Sequence, residues 1–199
     1  RDFNIKKVVY QGVEGAYSHI VTKKLFPDIN TENVNTFEDA IKEVLDGNAL
    51  YCVVPIENSS AGIVTDVYDL LLKKDVVIVA EYDLHISHCL LGTKDADIED
   101  IKTVYSHPQA LMQCASYLRE HMDWSQVSLL NTAVSAKKVK DDNSRAQAAI
   151  ASELSANLYD LKILDRGINR NLNNTTRFVV LSKEKIFSES SNKLSLILE

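Results

Sequence analysis

The feature that most constrains this chain is the alternation of short apolar runs with stretches whose apolar residues recur at helical spacing. Val8–Tyr10 is the first such run, with Lys6 and Lys7 before it and Gly12 and Gly15 after it. A short apolar run bounded by turn signals reads as a buried strand. A helix is predicted from about Tyr17 to Phe26, where Pro27 stops it. Thr36 can cap a second helix, with Asp39 three residues on. Phe37, Ala40, Ile41, Val44 and Leu45 then share one face, and Gly47 ends the helix. Leu50–Pro55 predicts a strand, Val64–Leu72 a helix with Val67, Leu70 and Leu71 inward, and Val76–Ala80 another strand. This β-α-β-α order predicts a parallel sheet covered by helices.

A second cycle starts near Leu84. Ile86–Leu91 and Thr103–Tyr105 read as strands, and Pro108 as the first residue of a helix running to about His121. Val127–Leu130 predicts a strand, Ala133–Val139 a helix, and Ala148–Ala151 a strand ending at Ser152, which can cap a helix to Tyr159. Arg177–Ser182 is the last strand. The fold class expected is α/β with two lobes: lobe 1 at about residues 1–83 plus 168–182, and lobe 2 at about 84–167. The ligand site is expected in the cleft between lobes, where small molecules usually bind. Residues 183–192 read as a polar, serine-rich linker, and residues 193–199 as the opening strand of a further domain.

Bulk properties narrow the function. The 199 residues carry a formal net charge of −6, and no more than two basic residues are adjacent. A nucleic-acid surface needs a basic patch, so nucleic acid is not the expected partner. No apolar run approaches the roughly 18 residues of a membrane span. Cys52, Cys89 and Cys114 are odd in number, each within an apolar segment, and read as buried free thiols. With no basic-then-apolar leader, they point to the cytoplasm. The histidines lack metal-ligand spacing, so no metal is expected.

Four segments carry candidate chemistry. Gly12–Ser18 places two glycines between a strand and a helix, with Tyr17 and Ser18 adding hydroxyls. Such a turn can present backbone N–H groups to an anion, or be only a tight turn. Val53–Gly62 breaks a buried strand at Pro55 and delivers Glu57, Asn58 and Ser59, at the strand end where α/β proteins place ligands. The bland reading there is a capped turn. Tyr105–Leu111 repeats the strand-end pattern with Ser106, His107 and Gln109. Ser106 and His107 are adjacent on a strand and face opposite ways, so they form no catalytic dyad, and His107 reads as a hydrogen-bonded structural residue. Asn173–Phe178 supplies Arg177, a permanent partner for a carboxylate, beside threonine hydroxyls.

In their order, G-x-x-G-A-Y-S, V-V-P-I-E-N-S-x-x-G, S-H-P-Q-A-L-x-Q-C, A-A-I-A-S and N-x-T-R-F resemble the catalytic domain of prephenate dehydratases, over Val8 to Ser182. The resemblance implies two α/β lobes like a type II periplasmic-binding-protein fold, and conversion of prephenate to phenylpyruvate without cofactor or metal. It implies that Thr176 acts as acid toward the departing ring hydroxyl, with Glu57, Asn58 and Gln109 as further catalytic groups. Ser59, Ser106, Arg177, Phe178, Tyr17 and Ser18 would bind substrate. It also implies a homo-oligomer, and a phenylalanine-binding ACT domain after the linker. In some relatives a chorismate mutase domain stands in front. Val13, Ala16, Arg170 and Leu172 depart from the usual family residues. Rival readings are arogenate dehydratase, which shares the chemistry, and a non-catalytic module that binds small anions.

The residue types suit the reaction. Loss of carboxylate and hydroxide from prephenate creates an aromatic ring, so the driving force lies in the substrate. The protein has to hold a dianion and protonate a poor leaving group. A positioned acid typically contributes about 10²–10⁴-fold, and positioning with electrostatics the remainder.

Overall fold

A computed structural model of the chain describes residues 7–171 and 173–185. In chain order the first elements are β1 (Lys7–Gln11), α1 (Tyr17–Leu25), β2 (Asn30–Val34), α2 (Phe37–Leu45), β3 (Tyr51–Asn58), β4 (Gly62–Ile63), α3 (Thr65–Lys73) and β5 (Val77–His85). Then come β6 (Cys89–Gly92), β7 (Thr103–Ser106), α4 (Pro108–Gln113), α5 (Ala115–Leu118), β8 (Ser125–Ser128), α6 (Thr132–Asp142), β9 (Gln147–Ala151), α7 (Glu153–Leu158), β10 (Lys162–Asp165) and β11 (Thr175–Ser182). These form two units. One holds residues 7–12, Ser18–His85 and 175–185; the other holds Val13–Tyr17 and Ile86–Asn174. Val13–Tyr17, the part of the glycine turn after Gly12, thus groups with the second unit, and after Ile86 the chain returns to the first only at Thr175.

The sheet of the first unit runs β2-β1-β3-β11-β5, with β4 paired to β3. β1 is parallel to β2 and to β3, but β11 is antiparallel to both β3 and β5. The sheet is therefore mixed, and the parallel expectation is corrected. Crossover helices keep β1, β2 and β3 parallel. β11 enters after the excursion through the second unit, so no such crossover fixes its direction. One face of the sheet packs Val9, Cys52, Val54, Val179 and Leu181 against Ala40, Ile41 and Val44 of α2 and Val67 of α3. The cap expected for α2 is present: the Thr36 side chain accepts the Asp39 N–H at 3.0 Å.

Two local expectations fail for identifiable reasons. Pro55 does not end β3, because β1 pairs only with Tyr51–Val53 and asks no N–H of residue 55. A bulge at Ile56 instead re-registers the strand, so Phe178 faces Pro55 while Arg177 faces Glu57. β2, of sequence NTENV, is an exposed edge strand with no apolar alternation to betray it.

The second unit has the sheet order β10-β6-β9-β7-β8. β7 is parallel to β8 and β9, whereas β6 is antiparallel to β9 and β10. Leu90, Val104, Ile150, Cys114, Leu118 and Trp124 fill one side; Leu91, Ala149, Ala151, Ala136 and Val139 fill the other. The helix expected from Pro108 to His121 is two short helices. Cys114 departs to φ −98° and ψ 11°, although its N–H still reaches the Ala110 carbonyl at 3.0 Å. All three cysteines are free and buried, and burial pushes the Cys52 and Cys114 thiols up to about 12. Among the described residues no helix is long and apolar enough to cross a membrane.

Candidate functional site

In the first unit the sheet places Asn58 beside Thr176 and Glu57 beside Arg177 on neighbouring antiparallel strands. Asn58 Nδ2 donates to Thr176 Oγ1 at 2.7 Å and lies 3.4 Å from the Thr175 carbonyl. Its Oδ1 accepts the backbone N–H groups of Ser60 and Ala61 at 2.9 and 3.0 Å. Two N–H donors require an oxygen at that position, so the amide has one orientation and its NH₂ must face the threonine. Thr176 therefore accepts a hydrogen bond on Oγ1, and its own proton is the group it can give. A donor on Oγ1 also stabilises any negative charge that develops there. Ser59 ties the same strand end: its N–H donates to the Thr175 carbonyl at 2.9 Å, and its Oγ accepts the Thr175 N–H at 3.0 Å. The capped turn and the delivery of Asn58 to the threonine are thus one arrangement.

Arg177 follows Thr176 on β11, so the two side chains leave opposite faces of the sheet. On its own face Arg177 sits across from Glu57 and Asp83. Nε donates to Asp83 Oδ1 at 3.0 Å, and Nη1 lies 4.0 Å from Glu57 Oε2. The Asp83 hydrogen bond holds the guanidinium above its ordinary range. The arginine expected beside the threonine is thus engaged with the protein's own carboxylates, which is a correction to reading T-R as one adjacent pair of functional groups. Phe178 is 3% exposed and belongs to the core.

The second unit holds the remaining candidates. Ser106 is fully buried, and its hydroxyl donates to the Ile150 carbonyl at 2.7 Å, which corrects the expectation that it faces a cleft. Ser18, in the first unit, is corrected likewise: it is buried and donates to the Gln11 carbonyl at 2.8 Å. Both hydroxyls hold local structure because a buried O–H takes the nearest carbonyl. His107 caps α4, its Nδ1 accepting the Gln109 N–H at 3.0 Å, the structural role expected of it. Gln109, one residue into α4, is half-buried.

Backbone groups of the glycine turn bond within the turn and to other parts of the protein. The Gly12 N–H donates to the Val34 carbonyl, and the Ala16 N–H to the Val13 carbonyl. The Gly15 carbonyl accepts Ser152 Oγ at 2.9 Å and Ser155 Oγ at 3.3 Å. The tight-turn reading of this motif is the one the geometry favours. What the turn delivers is Tyr17, whose hydroxyl lies 2.6 Å from His88 Nδ1 and 3.3 Å from the Ser87 carbonyl. His88 Nε2 is 2.7 Å from Gln113 Oε1, and the His88 N–H donates to Asn169 Oδ1 at 3.1 Å. Burial raises the Tyr17 hydroxyl well above its ordinary range and lowers the His88 imidazole.

Asp83, His88, Gln113 and Asn169 were not singled out from sequence. Gln113 lies within the S-H-P-Q-A-L-x-Q-C pattern, four residues after Gln109, and was the one with a visible signal.

A family model described as prephenate dehydratase matches residues 8–186. A bifunctional chorismate mutase/prephenate dehydratase of Enterobacter agglomerans is 38% identical over 184 residues, covering 90% of this chain and 48% of the relative. An arogenate dehydratase/prephenate dehydratase of Arabidopsis thaliana is 40% identical over 178 residues, covering 89% of this chain and 45% of that protein. The chain thus spans about half the length of these curated relatives. Among solved structures, a prephenate dehydratase of Arthrobacter aurescens in complex with L-Phe superposes with a TM-score of 0.86 at 26% identity, covering 93% of this chain and 63% of that one. A structure described as GqqA, a quorum quenching acylase, gives 0.82 at 32% identity, covering 92% of this chain and 66% of that one. With the match running through both units, from β1 to beyond β11, this chain belongs to the prephenate dehydratase family.

Proposed function

We propose that the chain catalyses the decarboxylating dehydration of prephenate to phenylpyruvate, a carbon–oxygen lyase reaction, with Thr176 as the acid. The carboxylate leaves as carbon dioxide, its bonding electrons enter the ring, and the ring hydroxyl departs as water with the proton of Thr176. The observation that carries this reading is the Asn58 amide, locked by two backbone N–H groups and donating to Thr176 Oγ1 at 2.7 Å. A threonine hydroxyl alone is a weak acid. Donation from Asn58 stabilises the alkoxide as it forms, so the proton can move while the C–O bond breaks. Ser59 ties the strand end that carries this pair, and Glu57, Tyr17 and Gln109 stay proposed groups on the family resemblance alone.

The test is turnover. Purified chain is mixed with prephenate at neutral pH, phenylpyruvate is followed, and Thr176→Ala is run beside it. The parent is expected to turn over and the variant to lose about 10²-fold or more, the size of a positioned acid. A variant as active as the parent overturns the role of Thr176. Arogenate run in parallel decides between the two names carried by the Arabidopsis relative.

A further inference from the structure

The second unit contains a chain of polar groups centred on buried His88, a residue to which the proposed reaction assigns no role. Tyr17 Oη, His88 Nδ1, His88 Nε2 and Gln113 Oε1 form a continuous path with links of 2.6 and 2.7 Å. His88 is 3% exposed, and its N–H and carbonyl are fixed by Asn169 and Ile168 at 3.1 Å each. Asn169 is itself held, its Nδ2 donating to the Ile86 carbonyl at 2.9 Å. The Tyr17 and His88 rings meet edge-on, with centroids 5.6 Å apart. A neutral imidazole has one N–H and one lone pair, so its tautomer decides the direction of every hydrogen bond along the path. With the proton on Nε2, the ring donates to the Gln113 carbonyl and Nδ1 accepts from Tyr17. The opposite tautomer has Nδ1 donate to the Tyr17 oxygen, turns that hydroxyl toward the Ser87 carbonyl, and asks for a flipped Gln113 amide.

Resting on the functional reading above, we propose that His88 is a positioning residue: its Nε2–H tautomer holds the Gln113 carbonyl inward, so that the Gln113 NH₂ is turned away from the ring as a donor for an anionic substrate group, while Nδ1 fixes the Tyr17 hydroxyl. One fixed imidazole thereby orients groups from two elements, α1 and α4. The arrangement follows the logic of outer hydrogen bonds that set the orientation of groups touching a ligand.

The first experiment is nitrogen NMR of the histidine-labelled parent chain at neutral pH. The expected spectrum assigns His88 a protonated Nε2 and a bare Nδ1, and a protonated Nδ1 overturns the proposal. The second is prephenate kinetics of His88→Phe and His88→Gln, each checked for an unchanged melting temperature. Phe keeps the volume and loses both links; Gln places an amide near the Nε2 position. His88→Phe is expected to raise KM about tenfold with kcat within about twofold, the pattern of a lost binding contact to a charged group. His88→Gln is expected to recover most of that rise. An unchanged KM in a folded His88→Phe overturns the positioning role, as does a His88→Gln no better than Phe. A parent inert toward prephenate removes the functional reading and the substrate half of this one, while the NMR still decides the tautomer.

Discussion

At the scale of single residues, Asn58 does two jobs that substitution can separate. Asn58→Ala removes the donor to Thr176 and leaves the Ser60 and Ala61 N–H groups without their acceptor. We expect a loss of about 1–2 kcal/mol in stability together with a fall in turnover. Asn58→Asp keeps an oxygen for the two N–H groups, but offers Thr176 an acceptor in place of a donor, drawing in the proton the reaction needs. Turnover should fall at least as far while the urea midpoint stays near that of the parent, and a destabilised but active Asn58→Asp would refute this division. The presence of Asn58 and Thr176 was legible in sequence, because both stand at strand ends in distinctive patterns. The fates of Ser18 and Ser106 were not. A hydroxyl facing a ligand and one bonded to the Gln11 or Ile150 carbonyl are the same letter, and only the packing of a distant segment tells them apart.

At the scale of elements, what repeats is legible and what is set by neighbours is not. α2 could be read to its cap because periodicity, Thr36 and Gly47 agree, and Thr36→Ala should cost about 1 kcal/mol in chemical denaturation. β2 hid because an exposed edge needs no apolar pattern, and the direction of β11 hid because strand sense depends on where the chain has been. The glycine turn is a further case. Gly15 adopts φ +93°, and a Cβ there would lie 2.6 Å from Ser155 Oγ. Gly47 adopts φ +77° with open space around it. Both substitutions carry the roughly 1–3 kcal/mol of a strained backbone, so Gly15→Ala should destabilise more than Gly47→Ala by the displacement of Ser155. Equal melting temperatures for the two variants would contradict this.

At the scale of the whole molecule, buried titratable groups shape the pH dependence of stability. Cys52 and Cys114 ionise near 9.0 when unfolded and only at about 12 when folded. Above 9.0 the unfolded chain sheds protons that the folded chain keeps, so this contribution to stability is complete below 9.0 and drains away between 9.0 and about 12. His88 acts at the other end. Its folded imidazole is lowered from 6.5, so the unfolded chain takes up a proton first, and stability is lost as pH falls below 6.5. Melting temperature against pH should therefore fall on both sides of neutrality, and thiol reagents near pH 8 should label Cys52 and Cys114 quickly only after denaturation. The position of β11 has a further consequence, in time rather than in space. This strand lies inside the first unit's sheet, between β3 and β5, yet it follows all of Ile86–Asn174 along the chain. During synthesis the second unit has its full complement of strands while β3 and β5 still wait for the strand that joins them. Thr176 emerges with that strand, so no nascent chain can acquire its proposed acid before the fold that holds it is able to close.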